Sequence, residues 1–400
     1  MHDGGEICWS RTYEGRNPSR VRFTGSAIAC SYIGDQGAPG TPNKHTLISL
    51  DPDGAERWKA SDFQLEVVLP DERLVGVTHG GKLRVLDRRG RTSDGVLDGR
   101  KKIECKSVEA ITEHGDGFMV RGKRDIVLVD ASLQIVERLP APPSGVGTVV
   151  GDGVLYIEGE RIMRIDRRGR PELFCPIPIA MTREAMDRWE RETGIAALAG
   201  IVYTKFDPAE DAVPAPANQT SFGLGDRPGF HIWRLEHLAA TKTIFLTNAT
   251  HPHLLVCMGV DGVAKWCTYL SSGCCGGGPT RLPSGELVTS SGCGGILSWL
   301  DPGTGAVLRR SERHDGVGLA TLYGSRVRAF DDGSCAIDGG AGVVSYGADG
   351  TPRWRWPKDS SCYDFEHRLG VLATATWSPG RRKTVSIECV KHLDSRVATA

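Results

Sequence analysis

No stretch of this 400-residue chain approaches the ~18–20 consecutive apolar residues that a membrane-crossing helix needs. The opening residues carry no basic start followed by an apolar run, so no secretory signal is visible. Together these absences set the expectation of a cytoplasmic protein with no membrane partner. Net charge is absent too: 49 Lys and Arg balance 49 Asp and Glu, which removes any global attraction to nucleic acid. There is no GxxxxGKS/T phosphate loop, no GxSxG elbow, no HExxH and no CxxC. No enzyme class therefore gains local support. In a reducing compartment the twelve cysteines would remain thiols.

Glycine is abundant: 51 residues without a collagen period describe a chain that turns often. One unit recurs, an alternating apolar segment, an Asp, a turn with Gly, and a segment often ending in Trp. It reads LISLDPDGAERW at 47–58, LRVLDRRGR at 83–91, IVLVDASLQIVERL at 126–139 and IMRIDRRGR at 162–170. It returns as GVDGVAKW at 259–266, ILSWLDPGTGAVL at 296–308 and YGADGTPRW at 346–354. Alternation marks a strand with one buried face, and Asp with Gly supplies the hairpin turn. Trp58, Trp266 and Trp354 fall at matching positions, where a large ring can fill the gap between sheets.

The anchors Asp51, Asp87, Asp130, Asp166, Asp261, Asp301, Asp349 and Asp394 are 36, 43, 36, 95, 40, 48 and 45 residues apart. All but one interval lie near the ~40–50-residue period of a four-stranded propeller blade. The expected fold is all-β, a single closed β-propeller of about eight four-stranded blades spanning 1–400. Either SRVATA (395–400) completes the last blade, or an N-terminal strand at 3–13 does. Trp9 and the likeness of DGGEICW (3–9) to DGAERW (53–58) favour the N-terminal strand. Such a shared blade would remove free sheet edges.

The segment ELVTSSGCGGILSWLDPGTGAVL (286–308) resembles the repeat of PQQ-like propellers, and weaker likeness runs through the units outside 176–230. That family includes quinoprotein dehydrogenases, outer-membrane assembly scaffolds and proteins of unassigned role, so the resemblance implies fold rather than function. Its quinoprotein members carry a vicinal Cys pair against the cofactor, a role that would fall here to Cys274 and Cys275. The missing export signal argues against PQQ itself. So does the lack of assignable counterparts for the acidic and amide residues that hold the metal in those enzymes.

The long interval holds an insertion at 176–230. TREAMDRWERETGIAALAG (182–200) reads as a helix capped by Thr182, with Met186 and Trp189 on its apolar face. DPAEDAVPAPANQ (207–219) reads as an extended loop. A packing helix, a lid and a docking element all fit.

With inner strand a and outer strand d, the d–a and b–c loops share one face. THPH (250–253), SSGCCGGG (271–278), SGCGG (291–295) and SSCYDFE (360–366) are assigned there. This gathers His251, His253, Cys274, Cys275, Cys293 and Cys362 as candidate ligands for a transition metal, with Asp364 and Glu366 nearby. The basic run before Cys105 joins the same side. Competing readings are apolar filling by Cys, a redox or cofactor role for Cys274–Cys275, and a nucleophilic thiol. The expected function is a monomeric binding scaffold for a protein or small molecule at this loop face. The alternative is an enzyme with a Cys/His-lined site.

Overall fold

The computed structural model describes residues 2–3, 5–34, 45–93, 95–103, 105, 107–143, 147–193, 220–224, 227–248, 253–271, 278–291, 296–311, 327–339, 342–357, 362–368, 371–378 and 384–392. They form eight antiparallel blades and one helix, the all-β propeller architecture expected from the repeats. Two compact units divide them. A terminal unit comprises Asp3–Ala141 and Trp356–Ala400, and a central unit comprises Pro142–Arg355 with Met1–His2.

In the terminal unit, a seven-stranded sheet holds two blades joined through the 19-residue strand Gly5–Phe23. Its first half, Gly5–Glu14, pairs antiparallel with Thr384–His392, and its second half pairs with Ile28–Gly34. The passage from one blade to the next falls between Glu14 and Gly15, and register slips flank Pro18, which has no N–H to offer the ladder, within the second half. Blades at Gln64–Leu86 and Val108–Pro140 complete this unit. The central unit holds the blades Gly147–Pro176, Thr220–Ser271, Thr280–Arg310 and Val327–Pro357. Strand Thr220–Leu224 and the first four residues of strand Arg227–Leu238 fall within the stretch 176–230 read from sequence as the insertion.

Middle strands are buried on both faces, as the unbroken apolar runs Ile126–Val129 and Leu254–Met258 require. Outer strands alternate instead; in Glu56–Ser61 only Ala60 is buried. Six core clusters result, each seated between successive blades of one unit. One joins Val67, Val85, Phe118 and Val127, and another joins Leu297, Trp299, Val344 and Tyr346.

The turn between the third and fourth strands is a repeated device. At Asp87 the backbone N–H donates to Arg91 C=O (2.8 Å), and Oδ1 accepts from the N–H groups of Arg89 and Arg91 (2.9 Å each). Asp130 and Asp166 repeat the pattern. Two anchors need correction. The equivalent first positions in their blades are Gly259 and Gly347, so Asp261 and Asp349 stand third in the turn. There each carboxylate accepts from the N–H two residues on, as Asp53 does for Ala55. Either position lets Asp cap the same turn, which is why spacing alone conflated them. Asp394 lies outside the described residues.

Each turn is also a socket. The Trp58 indole N–H donates to Arg88 C=O in the next blade's turn at 3.0 Å. Trp9 does so to Pro52 (2.7 Å) and Trp266 to Pro302 (3.1 Å). The ring lies on a glycine of the same turn: a Cβ at Gly54 or Gly90 would sit 2.6 Å from the Trp9 or Trp58 ring, and one at Gly305 would overlap Trp266. These glycines have φ of +85°, +76° and +71°, so the turn geometry demands glycine as well. At another seam Arg309 takes the place of the indole. It donates to Ala348 C=O (2.7 Å), pairs with Glu286, and lies over the Trp299 ring.

The helix runs Ile179–Thr193 and begins earlier than its sequence suggests. Thr182 is not the cap: its buried hydroxyl donates to Ile179 C=O at 2.8 Å, one turn inside. The rigid Pro176 and Pro178 set the entry, and Pro178 C=O already accepts from Thr182 N–H. Ala185 and Met186 join the core cluster between the Gly147–Pro176 and Thr220–Ser271 blades, and Trp189 is buried, so this helix is a packing element.

Two glycine substitutions separate the cost of the turn from that of the docked ring. Gly169 has φ +77° with nothing near its Cβ position, and Gly305 has φ +71° against Trp266. In urea unfolding, Gly169→Ala should lose about 1–2 kcal/mol to left-handed backbone strain. Gly305→Ala should lose a further ~1–3 kcal/mol from overpacking. Equal losses would show that the indole contact adds nothing.

Candidate functional site

Of the residues singled out for chemistry, His253, Cys362, Asp364 and Glu366 lie among the described residues. His251, Cys274, Cys275 and Cys293 lie outside them. His253 opens the strand His253–Gly259 of the central unit, fully buried and in register with Ser271. Cys362 opens the strand Cys362–Arg368 of the terminal unit, in register with Thr376. Asp364 and Glu366 follow it in that strand, which corrects the reading of SSCYDFE as loop from Cys362 onward. Its polar residues suggested a turn, but the alternation with Tyr363, Phe365 and His367 suits a pleated strand. Among the described residues no group of three or more His, Cys, Asp and Glu side chains is placed to hold a metal ion.

The described thiols behave as core. Cys30, Cys175, Cys257, Cys267, Cys335 and Cys389 are buried, Cys105 is half-buried and Cys8 is exposed. Burial in apolar surroundings pushes Cys175 and Cys257 up to about 11, and Cys267, Cys335 and Cys389 up to about 12. Burial thus disfavours the thiolate form of each of these groups. Alkylation of the native protein at pH 7.5, followed by peptide mass mapping, should modify Cys8 and spare these five until denaturant is added. Fast modification of Cys267 or Cys335 in the folded state would contradict the assignment.

A second polar grouping was not singled out by sequence. His45 begins the third strand of the first blade, and its C=O accepts from Phe63 N–H at 3.1 Å. Asp62, at φ +57°, accepts from His79 N–H at 2.7 Å. Burial lowers the His45 pKa from 6.5, nearby His79 lowers it further, and Asp62 opposes both. A histidine held neutral in the fold costs stability once the unfolded chain takes up a proton that the folded chain refuses. Stability should therefore fall as pH drops below about 6.5. In thermal unfolding at pH 7.5 and 5.5, His45→Gln should narrow the gap between the two melting temperatures. An unchanged gap would assign the acid sensitivity elsewhere.

Described residues form clefts in both units. One of about 370 Å³ lies at the turns Thr24–Gly25, Leu69–Glu72 and Gly115–Gly117 of the terminal unit, with Glu72, Glu113, Asp116 and Arg22 on its walls. One of about 320 Å³ lies in the central unit where Arg188 and Glu192 of the helix face Tyr269 and Arg310. There the Arg310 guanidinium sits 5.9 Å from the Tyr269 ring centroid, and the Tyr269 hydroxyl donates to Glu192. The third, of about 280 Å³, opens in the blade Gln64–Leu86 and carries Lys82, Arg84 and Lys102. Its only trace in the sequence is the stretch 94–105, where DG appears twice in place of an alternating outer strand.

No protein-family model matches the chain, and no curated protein matches it either. The structure is similar to that of BamB from Moraxella catarrhalis, with a TM-score of 0.51 and 12% identity, covering 96% of this chain and 97% of that one. It is also similar to the C-terminal WD40 domain of Sif2, with a TM-score of 0.56 and 10% identity, covering 97% and 99%. Likeness at such low identity shows the fold, an eight-bladed β-propeller. That fold agrees with the resemblance of the sequence to PQQ-like repeat propellers.

Proposed function

We propose that this chain is a monomeric cytoplasmic binding scaffold that presents the d–a and b–c loop face to a protein or small-molecule partner. The fold suits a binding scaffold in general terms, because docked blades hold their loops on a stiff frame. The observation that supports the reading is the repeated docking of Trp9, Trp58 and Trp266 on the next blade's turn, which stiffens the frame behind the loops.

Elemental analysis of protein purified without chelators tests this reading. No stoichiometric transition metal is expected. Partners recovered by crosslinking in the native cell extract should be the same for wild type, His253→Gln and a Cys274→Ser/Cys275→Ser double variant. A stoichiometric metal that disappears in those variants would replace the scaffold by a metal-dependent site.

A further inference from the structure

In the blade Gln64–Leu86 the outer strand is diverted. Its third strand, Leu83–Leu86, is met at one end by Ser93, whose N–H donates to Val85 C=O at 2.9 Å, and by the bridge from Leu86 to Thr92. At the other end Leu83 N–H donates to Cys105 C=O at 3.2 Å. Between these points the chain leaves as a short hairpin, Leu97–Asp98 against Lys101–Lys102, anchored by Ile103 N–H on Val96 C=O at 2.9 Å. The excursion opens the cleft of about 280 Å³, at the small end of ligand-sized sites.

Leu83, Val96 and Ile103 give the cleft apolar walls, and Thr78, Thr92 and Ser93 add hydroxyls. Arg84 is half-buried and already oriented, donating through Nη1 to Ser61 C=O (3.2 Å) and through Nη2 to Thr92 Oγ1 (3.3 Å). Lys102 lies across Gly95, where a Cβ would sit 2.6 Å from its Cε. Lys82, which is exposed, lines the cleft as well. None of the three cations has a carboxylate partner among the described residues. A fork held in place by two neutral acceptors, with two lysines lining the same cleft, suits an oxyanion.

We propose that this cleft binds a small organic anion, with a phosphate or carboxylate head on Arg84, Lys102 and Lys82 and an apolar body against Leu83, Val96 and Ile103. The site goes beyond the scaffold reading and does not depend on it.

Phenyl phosphate, benzoate, inorganic phosphate and phenol, each titrated into the full chain by calorimetry, test the assignment. At least one aromatic anion should bind saturably at one site, and whichever binds more tightly identifies the head group. Arg84→Gln and Lys102→Met should each weaken that binding about tenfold or more. Lys102 is exposed, so its variant retains the fold. The bound anion should also slow alkylation of Cys105, which lines the cleft. The proposal falls if neither aromatic anion binds, if phenol or inorganic phosphate binds equally well, or if both variants bind like wild type. No macromolecular partner is used, so such a failure leaves the scaffold reading standing.

Discussion

The structure depends on one contact made repeatedly: a flat side chain on the outer strand of one blade lying against a glycine in the next blade's turn. The indole N–H takes a turn carbonyl and the ring takes the space a Cβ would have filled, as for Trp9, Trp58 and Trp266. The contact joins two levels of organisation. The Asp that shapes the turn produces the positive-φ glycine, and the glycine makes room for the ring. Blades whose cores would slide on apolar surface alone are thereby fixed in angle at their rims. Arg309 shows that a hydrogen-bonding flat cation satisfies the same geometry.

Much of this was legible in the sequence because it is local. Asp, Gly and Trp recur at fixed offsets, and those offsets are the turn, its left-handed residue and the plug for the neighbouring seam. Errors arose where two local solutions look alike. Asp261 and Asp349 cap their turns from the third position rather than the first, and Thr182 resembles a cap although prolines upstream had already started the helix. Cys362–Glu366 carries turn-like residues on a strand.

The candidate site was far less legible, for a different physical reason. A propeller assembles its surfaces from strands distant in sequence, so proximity along the chain says little about proximity in space. His253 opens a strand of the central unit and Cys362 one of the terminal unit, 109 residues further along the chain. The cleft at Arg84 arises instead from a missing piece of pairing. An outer strand that, among the described residues, touches its neighbour at Thr92–Ser93 and at Cys105 but not between has no signature in composition or period. The thiols are a matter of surroundings as well, since the same residue type is exposed at Cys8 and core filler at Cys267.

The strand Gly5–Phe23 bears on how the protein is made. Its first half pairs with Thr384–His392, so during synthesis this sheet must wait until residue 392 has left the ribosome. The central unit, contiguous from Pro142 to Arg355, faces no such delay. Early in translation the segment Gly5–Glu14 is an open edge in need of protection, and a nascent chain halted before residue 384 would keep it open.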